Sequence, residues 1–366
     1  MDDEHGGLLT RRQLGLLLWT GMVSPLIRQA PGAMTDFAGG AAWLSGLFFV
    51  PAAGLLGLFL AGTLRSRTPG EGLGEVLCRT AGPFPGRLTA GVFGVWAVFY
   101  AGFVLRAGAD RFVSAMYPDS RDWPFMAVMG LLALLAGAGR LKALARCAQI
   151  VAPVFFGVFL LVFLFCLPNV DFSELRPSAA PSAAGVLRGG IPLLWTLSAG
   201  ALCAFLAGET EPGPLARTLS APLMTLAALG AAMCAATVGT FGAALTGELR
   251  YPFFVMLRGV RVFDLLERVE ALIVVQWAGA DFLLLGTLLH AAGRCLALAL
   301  RGPGASPGKG AVLLCAGGMF LCGRLCADSA FALRELGLRV IPPVTGGLVF
   351  GLLPLCLALG KLRKGV

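Results

Sequence analysis

The sequence predicts an all-α integral membrane protein of about ten transmembrane helices, organised as a single domain. Three observations carry that reading. Of the 366 residues, 57% are hydrophobic and only 13% are charged, roughly half the charge a soluble domain uses to cover its surface. Mean hydropathy is +0.82. Apolar stretches run to about 20 residues with no alternation of polar and apolar positions, which is the length of a helix crossing a bilayer and not the pattern of a barrel strand.

Segments of spanning character lie at about 13–30, 38–64, 87–112, 124–139, 147–167, 186–207, 219–245, 270–296, 311–327 and 340–360. The first follows the acidic start Asp2, Asp3 and Glu4 and then Arg11 and Arg12, and it does not close on a small-residue cleavage site. It reads as a retained span and not a signal peptide. Lys and Arg are in modest excess on the loops that share the side of the N-terminus, Arg65, Arg67, Arg79, Arg140, Lys142 and Lys361 among them. The positive-inside rule then places both termini in the cytoplasm. The loops at about 65–86, 168–185 and 246–269 are too short to form a core of their own.

The net charge of +9 sits in short clusters between apolar runs, a distribution that suits anionic lipid and not nucleic acid. Ten cysteines are scattered singly without a C-x-x-C pair, and the only histidines are His5 and His290. That set implies no metal and no cofactor, and the cysteines read as small packing residues. No His-rich, paired-carboxylate or Ser–Lys constellation points to an enzyme.

Two spans carry features unlike lipid-facing helix. In the first, Gly21 and Pro25 loosen the stretch Trp19–Pro25, which also holds Thr20 and Ser24. It is either a simple proline kink or a break lining a cavity. In the sixth, Gly189-Gly190-Ile191-Pro192 precedes Thr196, Ser198 and Gly200. Interrupted helices at corresponding positions in two halves point to an inverted-repeat transporter, here with repeats at about 13–167 and 186–360. Half-helix N-termini at such breaks would donate N–H groups to an anion such as an amino-acid carboxylate. Between spans seven and eight, Tyr251 to Glu270 mixes apolar and charged residues at helical spacing, with Asp264 and Arg268 four apart. It reads as a helix on the outer surface, a lid, or as an interfacial loop.

The pattern YP-x4-LR-G-V-x-V-x-D-x-LER-x-EAL-x4-W from Tyr251 to Trp277 resembles the signature of the spore germination permease family, the B subunits of nutrient germinant receptors within the amino acid–polyamine–organocation superfamily. Thr10 to Leu14, Ala41 to Leu44, Arg106 to Phe112 and Glu174 to Pro177 resemble other family motifs in the same order. Ala41 stands where an acid is usual, Ala201 where many members carry glutamate, and Leu284 where many carry lysine. The resemblance implies a LeuT-like 5+5 inverted repeat with broken helices one and six. It also implies a solute cavity between spans one, three, six and eight, and assembly with A-type and C-type receptor subunits in the spore inner membrane.

Intramembrane polar residues are costly in lipid and so mark sites. Thr20, Gly21, Ser24, Ser198 and Gly200 lie at the two interruptions, and Tyr100 offers a hydroxyl in span three. Asp281, half-way along span eight, either faces a cavity or pairs with an arginine from another helix. Arg106 and Asp110 are spaced to pair with each other. Glu209 and Glu211 form either a gate or a solvated loop, and the glycines from Gly54 to Gly62 suit close helix packing. The expected function is nutrient recognition by a receptor subunit, the nutrient being a small molecule such as an amino acid. A proton- or sodium-coupled amino acid transporter is the alternative.

Overall fold

The computed structural model describes residues 7–117, 119–176, 182–258 and 269–364. Its first helix starts where the chemistry of the chain demands. Thr10 Oγ1 accepts the Gln13 N–H at 3.2 Å and Gln13 Oε1 accepts the Thr10 N–H at 2.9 Å, a capping box that satisfies two otherwise unpaired donors. From there α1 runs over Arg11–Ala38 as one continuous helix, although Pro25 and Pro31 lie inside it. The Pro25 ring crowds the carbonyl four residues back, and that residue is Gly21. The expected interruption of span one is therefore a proline within unbroken helix.

The chain continues through α2 (Ala42–Phe48), α3 (Val50–Thr63), α4 (Leu73–Ala81), α5 (Pro83–Met116), α6 (Trp123–Ala138) and α7 (Leu141–Cys166). Next come α8 (Ala183–Ser198), a 3₁₀ segment over Ala199–Glu209, α9 (Ala216–Glu248), α10 (Pro252–Arg258) and α11 (Val269–Arg301). The last elements are α12 (Lys309–Leu325), α13 (Ala330–Glu335), α14 (Ile341–Gly347) and α15 (Leu353–Lys364), with π-helical turns at Leu336–Val340 and Leu348–Leu352. Span six is interrupted as expected, its α-helix giving way to 3₁₀ geometry at Ala199. In α9, Gly242 takes φ +73° and bends the helix, a backbone state that side chains with a Cβ resist.

Every sequence segment of spanning character falls on helix. Six described helices are long and apolar enough to cross a membrane, and seven if Ala30–Phe48 and Val50–Thr63, which meet at 42°, count as one span. The others fall short for visible reasons: α1 carries Arg11, Arg12 and Arg28, and α6 and α12 have 16 and 17 residues. The outward faces are apolar. Leu55, Val95, Ile150, Val275 and Leu313 are exposed, which suits hydrocarbon and would be an aggregation surface in water. This is a multi-pass membrane protein.

Close packing follows the small residues. A Cβ on Gly57 would lie 2.4 Å from Ser220 Cα, and one on Gly102 would lie 2.7 Å from the Met319 carbonyl oxygen. Helices α3 and α9, and α5 and α12, thus cross backbone against backbone. Gly54 serves the same contact with α9, whereas Gly62 faces open space. Seven cysteines are buried, namely Cys78, Cys166, Cys203, Cys234, Cys295, Cys315 and Cys356, and all ten are free. They act as packing residues, as expected.

One end of the bundle is tied shut. Leu9 N–H donates to the Glu209 carbonyl and Glu211 N–H to the Leu9 carbonyl, both at 2.8 Å. Arg67 donates to the carbonyls of Ala207 at 2.5 Å and Glu211 at 2.8 Å. Arg294 reaches Glu75 Oε1 at 3.1 Å and the Gly70 carbonyl at 2.9 Å. Glu209 and Glu211 are therefore half-buried parts of a latch, and it is their backbone that holds it.

Candidate ligand site at the crossing of three helices

The i, i+4 register of α1 lines Thr20, Ser24 and Arg28 along one face. All three are buried. On α5 steps of four and three residues stack Trp96, Tyr100 and Phe103, with ring centroids 6.4 Å apart at each step, and lead on to Ala107 and Arg111. Helix α11 brings Trp277 and, one turn later, Asp281. Where the three helices meet, Arg111 forms an ion pair with Asp281 Oδ2, and Ser24 Oγ donates to Asp281 Oδ1 at 2.5 Å. Arg111 Nη1 donates to Ser24 Oγ at 3.0 Å, and its guanidinium lies 5.1 Å from the Trp277 ring centroid. Arg111 and Asp281 are each only 2% exposed. Gly108 makes room for this pair, since a Cβ there would stand 2.9 Å from Asp281 Oδ2.

A single turn further along α1 stands Arg28, 9% exposed. Its guanidinium packs over Phe103 at 4.8 Å. None of its three nitrogens has a hydrogen-bond partner among the described residues. Arg111 is neutralised and Arg28 is not. This residue stands near one end of a predicted span, where topology assigns it to the interface, but the fold places it inside the bundle.

The residues expected from sequence divide into two groups. Ser24 and Asp281 meet in the ionic cluster, which answers the open question about Asp281: its partner is an arginine of α5. Tyr100 lies beside them in the aromatic stack, 1% exposed. The remainder are occupied by packing. Thr20 Oγ1 donates to the Leu16 carbonyl at 2.8 Å and Ser198 Oγ to the Trp195 carbonyl at 2.6 Å. A Cβ on Gly21 would lie 3.5 Å from Leu284, and one on Gly200 would lie 3.4 Å from Leu18 and Leu223. With α1 unbroken, no half-helix N-terminus is exposed at Gly21 to receive an anion. Arg111 and Arg28 are absent from the expected residues. The signal that finds them is the helical continuation of one face, from Ser24 to Arg28 four residues on, and from Tyr100 through Phe103 and Ala107 to Arg111 in steps of three and four.

Two further expectations need correction. Arg106 and Asp110 do not pair with each other: Arg106 pairs with Asp122, and Asp110 with Arg250 while accepting the Tyr251 hydroxyl at 2.9 Å. Spacing alone offered them as a pair, but the residue that precedes α6 and the turn before α10 supply closer partners. The stretch from Tyr251 is also no surface lid in its described part. Phe253, Phe254, Met256 and Leu257 are buried, and Phe254 and Tyr251 close on Trp277 at 5.0 and 6.3 Å. Asp264 and Arg268 lie outside the described residues. The described ends of the motif, Tyr251 and Phe254 packed on Trp277, thus lie over the ionic cluster. No group of three or more metal-ligating side chains occurs among the described residues.

An apolar helical bundle with an ion pair and an unpaired arginine buried at a helix crossing is built as a permease-type membrane protein. Its fold is that of transporters: a Na⁺-coupled sialic acid symporter, solved substrate-bound and outward-open, aligns at TM-score 0.66 and 13% identity over 97% of this chain and 81% of its own. The nucleobase-cation-symport-1 transporter Mhp1, closed on bromovinylhydantoin, aligns at TM-score 0.65 and 13% identity over 94% of this chain and 78% of its own. No curated protein matches the sequence. The spore germination protein family, the spore permeases, matches residues 9–297. The chain belongs to that family.

Proposed function

We propose that this chain is the membrane subunit of a nutrient germinant receptor, binding a small nutrient, an amino acid, to trigger spore germination. One observation carries the reading: in a chain of the spore permease family, α1, α5 and α11 bury Ser24, Arg111, Asp281 and the unpaired Arg28 side by side. Such groups are expensive in a bilayer and are kept where solute or ions are handled. In this reading the chain is one permease-like domain of two inverted five-helix repeats. It works with A-type and C-type receptor subunits in the spore inner membrane, with both termini on the core side. Ser24, Tyr100 and Asp281 face the ligand directly, and Thr20, Gly21, Ser198 and Gly200 shape the surrounding helices.

A proton- or sodium-coupled amino acid transporter is the second reading. It is favoured by Asp281, a buried carboxylate at mid-span, and by the cation-coupled proteins that share the fold.

Radiolabelled alanine binding and uptake on the reconstituted chain, alone and with its partner subunits, separates the two. The receptor reading expects saturable binding without accumulation, strengthened by the partners. Accumulation by the isolated chain, lost in Asp281→Asn, sinks that reading and establishes the transporter.

A further inference from the structure

Beside the ionic cluster lies a small cavity bounded by α1, α5, α10 and the π-helical turn after α13. Arg28, Phe103, Arg250, Tyr251, Arg334 and Gly337 line it, together with apolar side chains. Three arginines thus converge on one space, and no carboxylate is among its described lining residues. Two of the three are already satisfied by protein. Arg250 pairs with Asp110, and Arg334 Nη2 donates to the Gly247 carbonyl at 2.7 Å. Arg28 is the one left over, more than nine-tenths buried and with three unpartnered nitrogens. Beside it, a Cβ on Gly32 would meet nothing within 4 Å, so the space at Arg28 is open.

An uncompensated guanidinium inside a membrane bundle costs several kcal/mol by desolvation, on the order of what unfolds a protein. A chain that keeps one has something to place against it. The cavity offers about 30 Å³ of room, enough for about two waters or a small planar anionic group, and too little for a whole amino acid. A guanidinium fork matches a carboxylate with two parallel hydrogen bonds. The wall opposite is a π-helical turn, Leu336–Val340, a form of helix that recurs at functional sites.

We infer that Arg28 is a carboxylate anchor: the cavity between α1, α5, α10 and the π-turn takes the carboxylate end of a small organic acid or amino acid. The rest of the ligand extends toward the Ser24–Asp281 layer when the helices part. The inference deepens the receptor reading by naming the ligand class, and it rests on that reading only for the amino group.

The test is binding to the full chain in detergent, read by thermal shift and isothermal titration. Propionate is the minimal probe, and alanine, alaninamide and chloride are compared with it. Propionate and alanine are expected to bind, and alaninamide, with its carboxylate replaced by a neutral amide, is not. Arg28→Met is expected to lose affinity for propionate by about tenfold or more, the factor a charge-assisted hydrogen bond supplies, whereas Arg28→Lys retains part of it. The unliganded melting temperature of each variant controls for folding. Propionate affinity unchanged in a folded Arg28→Met overturns the anchor, as does alaninamide binding as well as alanine. Chloride competing on equal terms makes the site a halide site and overturns the carboxylate assignment, and binding of neither acid leaves the guanidinium to water alone and overturns it too. Propionate binding without alanine binding keeps the anchor and removes the amino acid from the receptor reading, so the two failures are distinct.

Discussion

Arg111 and Arg28 are both buried arginines near the same helix crossing, yet they answer to different demands. Arg111 has a counter-charge and more: the Asp281 carboxylate, the Ser24 hydroxyl and the face of Trp277, with Nε alone lacking a partner among the described residues. Arg28 has the ring of Phe103 and no hydrogen-bond partner among the described residues. Burial is similar; satisfaction is not. A paired buried ion is part of the architecture, and its loss is felt as stability. An unpaired one is a cost to the architecture, and its loss is felt as function.

The largest expected effect separates the two directly. Arg111→Met strands Asp281 as a buried charge, at a cost of roughly 3–5 kcal/mol, read as a lower melting temperature in detergent. Adding Asp281→Asn to that variant restores much of the loss. If the double variant is as unstable as the single one, the ion pair is not what holds the crossing together. A smaller effect is expected from Trp277→Leu, which removes the cation–π contact behind Arg111 and costs about 0.5–2 kcal/mol by the same measurement. Arg28→Met is expected to leave the melting temperature unchanged or raised, because a buried charge without partners is replaced by an apolar side chain. A loss comparable to that of Arg111→Met would erase the contrast.

The smallest effect comes from a charge outside the membrane layer. Burial alone would push the Glu71 carboxyl up, but hydrogen bonds from Thr68 and the charge and hydrogen bond of Arg79 outweigh it and hold it below the ordinary carboxylate range. A carboxylate lowered in the folded state contributes stability at neutral pH and loses that contribution as pH falls through its folded value. Glu71→Gln is therefore expected to flatten slightly the acid limb of a melting-temperature profile and to leave the neutral value almost unchanged. Arg79 is well exposed, so solvent screens the pair.

The fold class and helix placement were legible because hydrophobic length is a local property of the chain. Residues such as Leu55, Val95 and Ile150 need no partner to declare themselves. Half of the ionic cluster was legible for a similar reason: Asp281 and Ser24 are conspicuous in apolar surroundings. Arg111 and Arg28 were hidden because arginine near a helix end has an ordinary explanation, snorkelling to the interface, and only the tertiary fold removes it. The pairing of Arg106 with Asp122, and of Asp110 with Arg250, depends on which helices become neighbours. Spacing along one helix carries no information about that. The proline of span one misled in the opposite direction, since the helix runs on through Pro25 and Pro31 without a break.

The 3₁₀ stretch that ends span six is also a length reserve. Runs of this geometry beyond three or four residues are uncommon, and this one extends from Ala199 to Glu209. At about 2.0 Å per residue against about 1.5 Å in an α-helix, rewinding the whole segment would draw its end in by about 5 Å, close to one helical turn. That end is Ala207 to Glu211, where Arg67 grips two carbonyls and Leu9 zips alongside. Any change in the winding of this segment would therefore displace the very carbonyls that the latch holds, as a thread shortens when twisted and pulls the knot at its tip.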